Sequence, residues 1–243
     1  MKYAFRTDRG IKRNSNQDAC IAFCPAPDAC AAIVCDGIGG GNAGDVASRL
    51  TVETVSARLR DGWRGGISAT SVRNLLLTSI NAANITVYDA AHADPELAGM
   101  GTTIVAAVLL RDQLIVAHVG DSRAYLFSGS RMQRLTKDHS LVQAMVDKGD
   151  LSPEEAERHP KKNYITRALG VADAVQIDFT EESLSSDARV LLCTDGLSNY
   201  VAPEVLCEMM RALPVEALPD GLIEEANRNG GGDNITAAVI AVN

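Results

Sequence analysis

The sequence predicts an α+β fold in which antiparallel sheets are covered by helices, and three observations carry that prediction. Short apolar runs and longer stretches of helical periodicity follow one another in the order β-β-α-α-β-β-β-insert-β-α-α-β. Between the runs 102–110 and 113–119, Arg111-Asp112-Gln113 leaves room only for a tight turn, so the two pair as a hairpin. Five aspartates, finally, each stand where a short apolar strand begins or ends. In antiparallel pairing the exit of one strand lies beside the entry of the next, so such a sheet gathers all five on one edge.

In chain order, strands are expected near 19–23 and 30–35. The stretch 43–60 repeats Val46, Leu50, Val52, Val55 and Leu59 at helical spacing. A second helix over 70–91 repeats Val72, Leu75, Leu76, Ile80, Ala83 and Ile85. Strands follow near 102–110, 113–119 and 122–127. A more polar insert then covers 138–172, read as a surface flap over one side of the site. It holds a helix over 140–148 and then Ser152-Pro153-Glu154-Glu155, with Ser as N-cap, Pro at the first position and Glu155 completing a capping box. His159-Pro160-Lys161-Lys162-Asn163 breaks that pattern. A strand near 188–193, helices at 203–212 and 217–228, and a strand at 235–241 complete the chain. The last run ends close to Asn243, so residues 1–243 are read as a single domain without tail or linker.

Composition narrows the function. Hydrophobic residues make up 46% of the 243 and aromatics 4%, so a sizeable core must rely on Ala, Val, Ile and Leu. The net charge of −8 argues against a nucleic-acid partner, because phosphate backbones are bound by clustered Lys and Arg. Six cysteines, at 20, 24, 30, 35, 193 and 207, form no CxxC pair and have no spaced His-Cys partner, so they are read as reduced thiols rather than a zinc cluster. The N-terminus lacks the apolar core of a signal peptide, and no stretch approaches the ~20 apolar residues of a membrane span. The expectation is a cytoplasmic monomer with no membrane partner.

The aspartates carry the chemistry. Asp36 closes the run Ala31-Ala32-Ile33-Val34-Cys35, and Asp195 closes Val190-Leu191-Leu192-Cys193-Thr194. Asp18, Asp121 and Asp233 each open a run. Carboxylates crowded on one edge repel and take up protons unless a cation neutralises them. Oxygen-only ligands select hard ions such as Mg²⁺ or Mn²⁺. Asp-Gly is also a common turn dipeptide, and Asp61-Gly62 and Asp220-Gly221, which follow no buried run, are read as ordinary turns.

Six motifs accumulate in one order: Asp8-Arg9-Gly10 with Arg13-Asn14-Ser15-Asn16-Gln17-Asp18; Asp36-Gly37-Ile38-Gly39-Gly40-Gly41; Met100-Gly101-Thr102-Thr103; Val119-Gly120-Asp121-Ser122-Arg123; Thr194-Asp195-Gly196; and Gly232-Asp233-Asn234-Ile235-Thr236. This order resembles the PP2C (PPM) family of metal-dependent serine/threonine protein phosphatases in its compact bacterial form, from Asp8 to Thr236. The resemblance implies a four-layer αββα sandwich with a metal site at one sheet edge. It implies that Asp36 bridges two ions, Mn²⁺ or Mg²⁺, completed by the Gly37 carbonyl, Asp195 and Asp233. Asp18 would hold metal-bound water, Asp121 would share a third ion with Asp195, and Arg13 would clamp the substrate phosphate. Two ions about 3.5–4 Å apart create a hydroxide nucleophile at neutral pH, which implies in-line hydrolysis of phosphoserine or phosphothreonine without a phosphoenzyme. A guanidinium suits the phosphate because its donors form a planar, permanently charged fork. The expected partners are phosphorylated proteins, bacterial Ser/Thr kinases and their targets.

Two departures from the family pattern stand out. Gln17 replaces a common Glu, and Ile38 and Gly41 stand where family members carry His, so no histidine acid is expected for the leaving group. Of the four histidines, His92 is read as a surface residue, His118 as a hydrogen-bonded core residue and His139 as ordering the base of the insert. His159 is left as a group for the flap to bring toward substrate. Arg123 is read as a structural pairing residue. Two other functions compete. A catalytically weak phosphoprotein-binding regulator is disfavoured by the complete aspartate set, and a partner-switching phosphatase by the lack of a sensory domain.

Overall fold

The computed structural model of the protein describes residues 1–40 and 43–242. The chain begins with β1 (Lys2–Asp8), β2 (Asp18–Ala26) and β3 (Ala29–Ile38), followed by α1 (Ala43–Gly62) and α2 (Ala69–Ala93). Next come β4 (Gly101–Thr102), β5 (Ile104–Leu110), β6 (Gln113–Val119), β7 (Arg123–Ser128) and β8 (Arg131–Arg134). The insert contributes α3 (Leu141–Lys148) and α4 (Pro153–Arg158), and β9 (Asp178–Ser183) and β10 (Arg189–Cys193) follow. The one-turn α5 (Asp195–Ser198), α6 (Pro203–Ala212), α7 (Leu218–Arg228) and β11 (Ile235–Ala241) end the fold.

One antiparallel sheet runs β1-β11-β10-β7-β8 and the other β2-β3-β5-β6-β9, with β4 paired to β3. The central strands are apolar on both faces because each sheet is covered twice. In β3, Ala31, Ile33 and Cys35 pack toward α1 and α2, while Cys30, Ala32 and Val34 meet the sheet that contains β11. In β11, Ala238 and Ile240 face the sheet that contains β3, while Ala237 and Val239 pack with the α6 and α7 residues Leu206, Met210 and Leu222. Alanines at Ala32, Ala107 and Ala238 thin the inner layer and let the sheets approach. The four layers are therefore helix, sheet, sheet, helix. Truncating a fully buried anchor such as Ile33 to alanine costs about 2–5 kcal/mol.

Helix α2 buries Val72, Leu76, Ile80, Ala83 and Val87 as one stripe, and Ile85 falls outside it, 52% exposed rather than in the core. The capping box forms as expected: Ser152 Oγ accepts from Glu155 N–H, and Glu155 accepts from Ser152 N–H at 2.8 Å. Asp220-Gly221 is not a turn but lies within α7, and Asp61-Gly62 closes α1. Both dipeptides are carried by helices whose apolar stripe outweighs the local turn tendency of Gly.

Among the described residues no helix is long and apolar enough to cross a membrane. All six cysteines are free thiols; Cys24 Sγ lies 3.0 Å from Cys30 Sγ.

Candidate active site

The five aspartates meet at one end of the sandwich. Asp18 is the first residue of β2 and pairs in register with Asp36 near the end of β3. Asp121 sits on the link between β6 and β7, Asp195 opens α5 directly after β10, and Asp233 precedes β11. Antiparallel pairing of β10 with β7 and β11 brings the last three together. Asp36, Asp121, Asp195 and Asp233 line a cleft of about 290 Å³, shared with Arg13 and Gln17.

Backbone approach at this end demands glycine. A Cβ on Gly37 would lie 2.0 Å from the Gly44 carbonyl and 2.5 Å from that of Gln17. Helix α1 therefore starts directly against the end of β3 that carries Asp36. Gly41 lies outside the described residues, and Ile38 lines the cleft.

Threonine hydroxyls and amides hold the acids. Asp18 Oδ2 accepts from Thr236 Oγ1 at 2.6 Å and Thr194 Oγ1 at 2.9 Å. Because the Thr236 hydrogen goes to Asp18, Thr7 donates to Thr236 at 2.7 Å, and Asn16 in turn donates to Thr7. Asn199 donates to Asp195, and Thr103 Oγ1 accepts from Asp36 N–H at 2.9 Å. Asn234 anchors the loop that carries Arg13: its Oδ1 accepts from Gln17 N–H, and its Nδ2 donates to the Arg9 and Ser15 carbonyls. Sequence reasoning assigned no role to Thr194, Thr236 or Asn234, although all three stand inside the motifs. Their value emerges only once strands distant in sequence are aligned.

The electrostatics are those of an acid cluster short of positive charge. Burial, then repulsion by Asp18, Asp195, Asp121 and Asp233, pushes the Asp36 carboxyl well above the usual carboxylate range. Burial raises Asp18 to about 7 despite its two hydroxyl donors. Asp121 is raised to about 7 by burial and Asp195, and Asp195 to about 6 by burial and Asp233. Among the described residues the one guanidinium on the cleft, Arg13, is spent on Asp233, with Nε to Oδ1 at 2.8 Å and Nη2 to Oδ2 at 2.9 Å.

These residues fit hard divalent ions. The donors are all oxygen, and Asp18 Oδ1, beside Asp36, is buried without any hydrogen-bond partner. A buried acceptor left unmatched is costly, and a cation or the water around one would satisfy it.

Arg123 pairs with Asp138 through Nε and Nη2, as expected of a structural arginine. None of the histidines lines the cleft. His92 is exposed in the last turn of α2, His118 is buried, and His159 caps α4 and accepts from Lys161 N–H. The insert does reach the cleft, through Asn163 and Ile165.

Known proteins share this fold. Residues 9–223 match the family model described as protein phosphatase 2C. The serine/threonine phosphatase stp of Listeria welshimeri is 38% identical over 249 residues, spanning 100% of this chain and 96% of that protein. The solved structure of serine/threonine phosphatase Stp1 from Staphylococcus aureus aligns at a TM-score of 0.92 with 33% identity, covering 100% of this chain and 95% of that one. The catalytic domain of the phosphatase PstP, solved with two manganese ions, aligns at 0.85 with 35% identity over 98% and 96% of the two chains. With the family model matching most of its length and the layered fold shared throughout, the chain belongs to the protein phosphatase 2C family.

Proposed function

We propose that this protein hydrolyses phosphoserine and phosphothreonine in proteins by attack of water on phosphorus, in line with the departing side-chain oxygen. It is a metal-dependent phosphoprotein phosphatase, and the observation that carries the reading is the cleft that joins the aspartate cluster to Arg13. In this reading Asp36, Asp195 and Asp233, with the Gly37 carbonyl, hold two Mn²⁺ or Mg²⁺ ions, and Asp18 supports them from β2. Asp121, sharing Asp195, holds a third. Ions held there supply positive charge, polarise the phosphoryl group and acidify water enough for attack at neutral pH.

The chain's own residues do the rest. Asp233 fixes two donors of the Arg13 fork and leaves Nη1 unpaired among the described residues, so that this residue of the cleft wall keeps a donor for a phosphoryl oxygen. Asn234 keeps that loop in register with β11. No histidine stands on the cleft to protonate the leaving alkoxide, so water supplies that proton. The chain acts as a single domain in which 138–172 forms a flap, and Asn163 and Ile165 support that assignment. Its substrates are phosphorylated proteins, bacterial Ser/Thr kinases and their targets. We read it as a monomer of the cytoplasm, a reducing compartment consistent with six free thiols.

Turnover of p-nitrophenyl phosphate and of a phosphothreonine peptide, with Mn²⁺ and with EDTA, tests the reading. Both substrates should turn over with Mn²⁺ and neither with EDTA. Metal-independent turnover would sink it.

A further inference from the structure

No described side chain hydrogen-bonds the Asp121 carboxylate, so its placement falls to the residues on either side. On one side, Ser122 is buried and its hydroxyl meets Thr103 Oγ1 at 2.7 Å. On the other, Gly120 adopts φ +105, and a Cβ there would lie 2.5 Å from Thr103 Cγ2. Only glycine fits that turn.

His139 grips Gly120 twice. Its backbone N–H donates to the Gly120 carbonyl at 2.9 Å, and its ring Nδ1 accepts from Gly120 N–H at 3.1 Å. Two donors compete for the one acceptor nitrogen of the neutral ring, Gly120 N–H at Nδ1 and Arg167 Nη1 at 3.0 Å from Nε2. Arg167 has other acceptors in Asp178 and the Gln176 carbonyl and Gly120 N–H has none among the described residues, which assigns the ring hydrogen to Nε2, 3.2 Å from Asp178 Oδ2. Arg167 Nη1 donates to the other Asp178 oxygen at 2.9 Å, and the His118 ring stacks on His139 with centroids 4.6 Å apart. His139 itself is buried.

Ligand atoms of His118, His139 and Asp178 lie within 4.8 Å of one another, a spacing a metal ion can bridge. Two features speak against an ion there. Ligation through His139 Nε2 would move its hydrogen to Nδ1, against Gly120 N–H. The Arg167 guanidinium already neutralises Asp178.

We propose that His139 is a positioning residue for Asp121: held by Asp178, its Nδ1 fixes the Gly120 peptide and so aims the Asp121 carboxylate into the cleft. This rests on the reading of Asp121 as a ligand for a divalent ion. His139 touches neither substrate nor ion.

The test measures Mn²⁺ binding to the full chain by the electron-spin-resonance signal of the free ion, beside thermal unfolding. His139→Asn keeps an acceptor where Nδ1 stands; His139→Gln moves its polar end to the place of Nε2 and leaves Gly120 N–H unmatched. The parent and His139→Asn should bind alike within about threefold, whereas His139→Gln should weaken its loosest ion about 10–100-fold. Equal isotherms for His139→Gln and the parent overturn the proposal, as does equal weakening in both variants at matched Tm. If His139→Gln does not fold, nitrogen-15 imidazole spectra of the parent decide: the Nε2–H form supports the strut, and the Nδ1–H form overturns it. A parent that binds no Mn²⁺ overturns the metal reading itself, which unchanged binding in the variants would not.

Discussion

Arg13 and Asp233 form a two-pronged ion pair, at 2.8 and 2.9 Å, that ties a guanidinium on the cleft to the carboxylate cluster. The arginine side chain is 54% exposed, so the pair contributes at most about 1 kcal/mol to folding. Its consequence is orientation. A long, flexible side chain is held with one nitrogen left over, at the wall of the cleft where the acids converge.

Replacing Arg13 therefore separates binding from folding. A bond from a charged donor is worth about 1.5–3 kcal/mol, so Arg13→Ala should raise KM for a phosphopeptide about 10–100-fold. The loss in kcat should be smaller, and Tm should stay within a few degrees. Arg13→Lys should rescue little, because an ammonium cannot engage Asp233 with two prongs and keep a third donor in plane. An unchanged KM in Arg13→Ala would remove this residue from the phosphate site.

The acids should be indispensable to turnover and dispensable to folding. Asp36→Asn and Asp233→Asn each remove a charge from the proposed ion site, so each should abolish Mn²⁺-dependent turnover of p-nitrophenyl phosphate. Circular dichroism of both should match the parent. In EDTA, Asp36→Asn should unfold at a higher temperature than the parent at pH 8, since it removes an acid whose charge is disfavoured by burial and then by four neighbouring carboxylates. Full activity in both variants would refute their role.

How much of this was legible in the sequence depends on where each strand sits. The buried strands β3, β5, β6, β10 and β11 announce themselves as apolar runs because both faces are covered. The unread strands β1, β8 and β9 are all sheet edges, with exposed positions that dilute the pattern. Ile85 shows the limit for helices, since apolar character alone did not place it on the buried stripe. At the site, the aspartates were legible because strand boundaries mark them. Their supports were not: Thr194 and Asp18 are 176 residues apart, and only the strand register makes them neighbours. The His139 to Gly120 contact likewise depends on how the insert folds back.

Those hidden supports can be tested directly. Thr236→Val removes the 2.6 Å donor to Asp18, which is buried, and leaves the half-buried Thr7 without its acceptor. Stability should fall by about 1–3 kcal/mol. Thr236→Ser keeps the hydroxyl and should recover most of that loss, which distinguishes the hydrogen bond from packing of the methyl group. Chemical denaturation of the three proteins in EDTA is the measurement. A Thr236→Val protein as stable as the parent would show that these two hydrogen bonds contribute nothing net.

The metal-free protein should also lose stability as pH rises, with Asp18 the group to follow. Burial raises its folded carboxyl to about 7, from an ordinary value near 3.8 in the unfolded chain. Between those values the folded state holds a proton that the unfolded state has released, so the slope of stability against pH is negative. The contribution is fully present below about pH 4 and lost once pH passes about 7. Asp18→Asn mimics the protonated carboxyl: its amide oxygen accepts from Thr194 and Thr236, and no charge forms at any pH. In EDTA the two proteins should unfold together near pH 4. The variant should then gain on the parent up to about pH 7, by about 2–4 °C for each kcal/mol of that burial cost removed. Saturating Mn²⁺ should reverse the order at pH 7, because the ion stabilises only the protein that can ligate it fully. A constant difference in Tm from pH 4 to 8 would show that Asp18 is not the strained acid of the cluster.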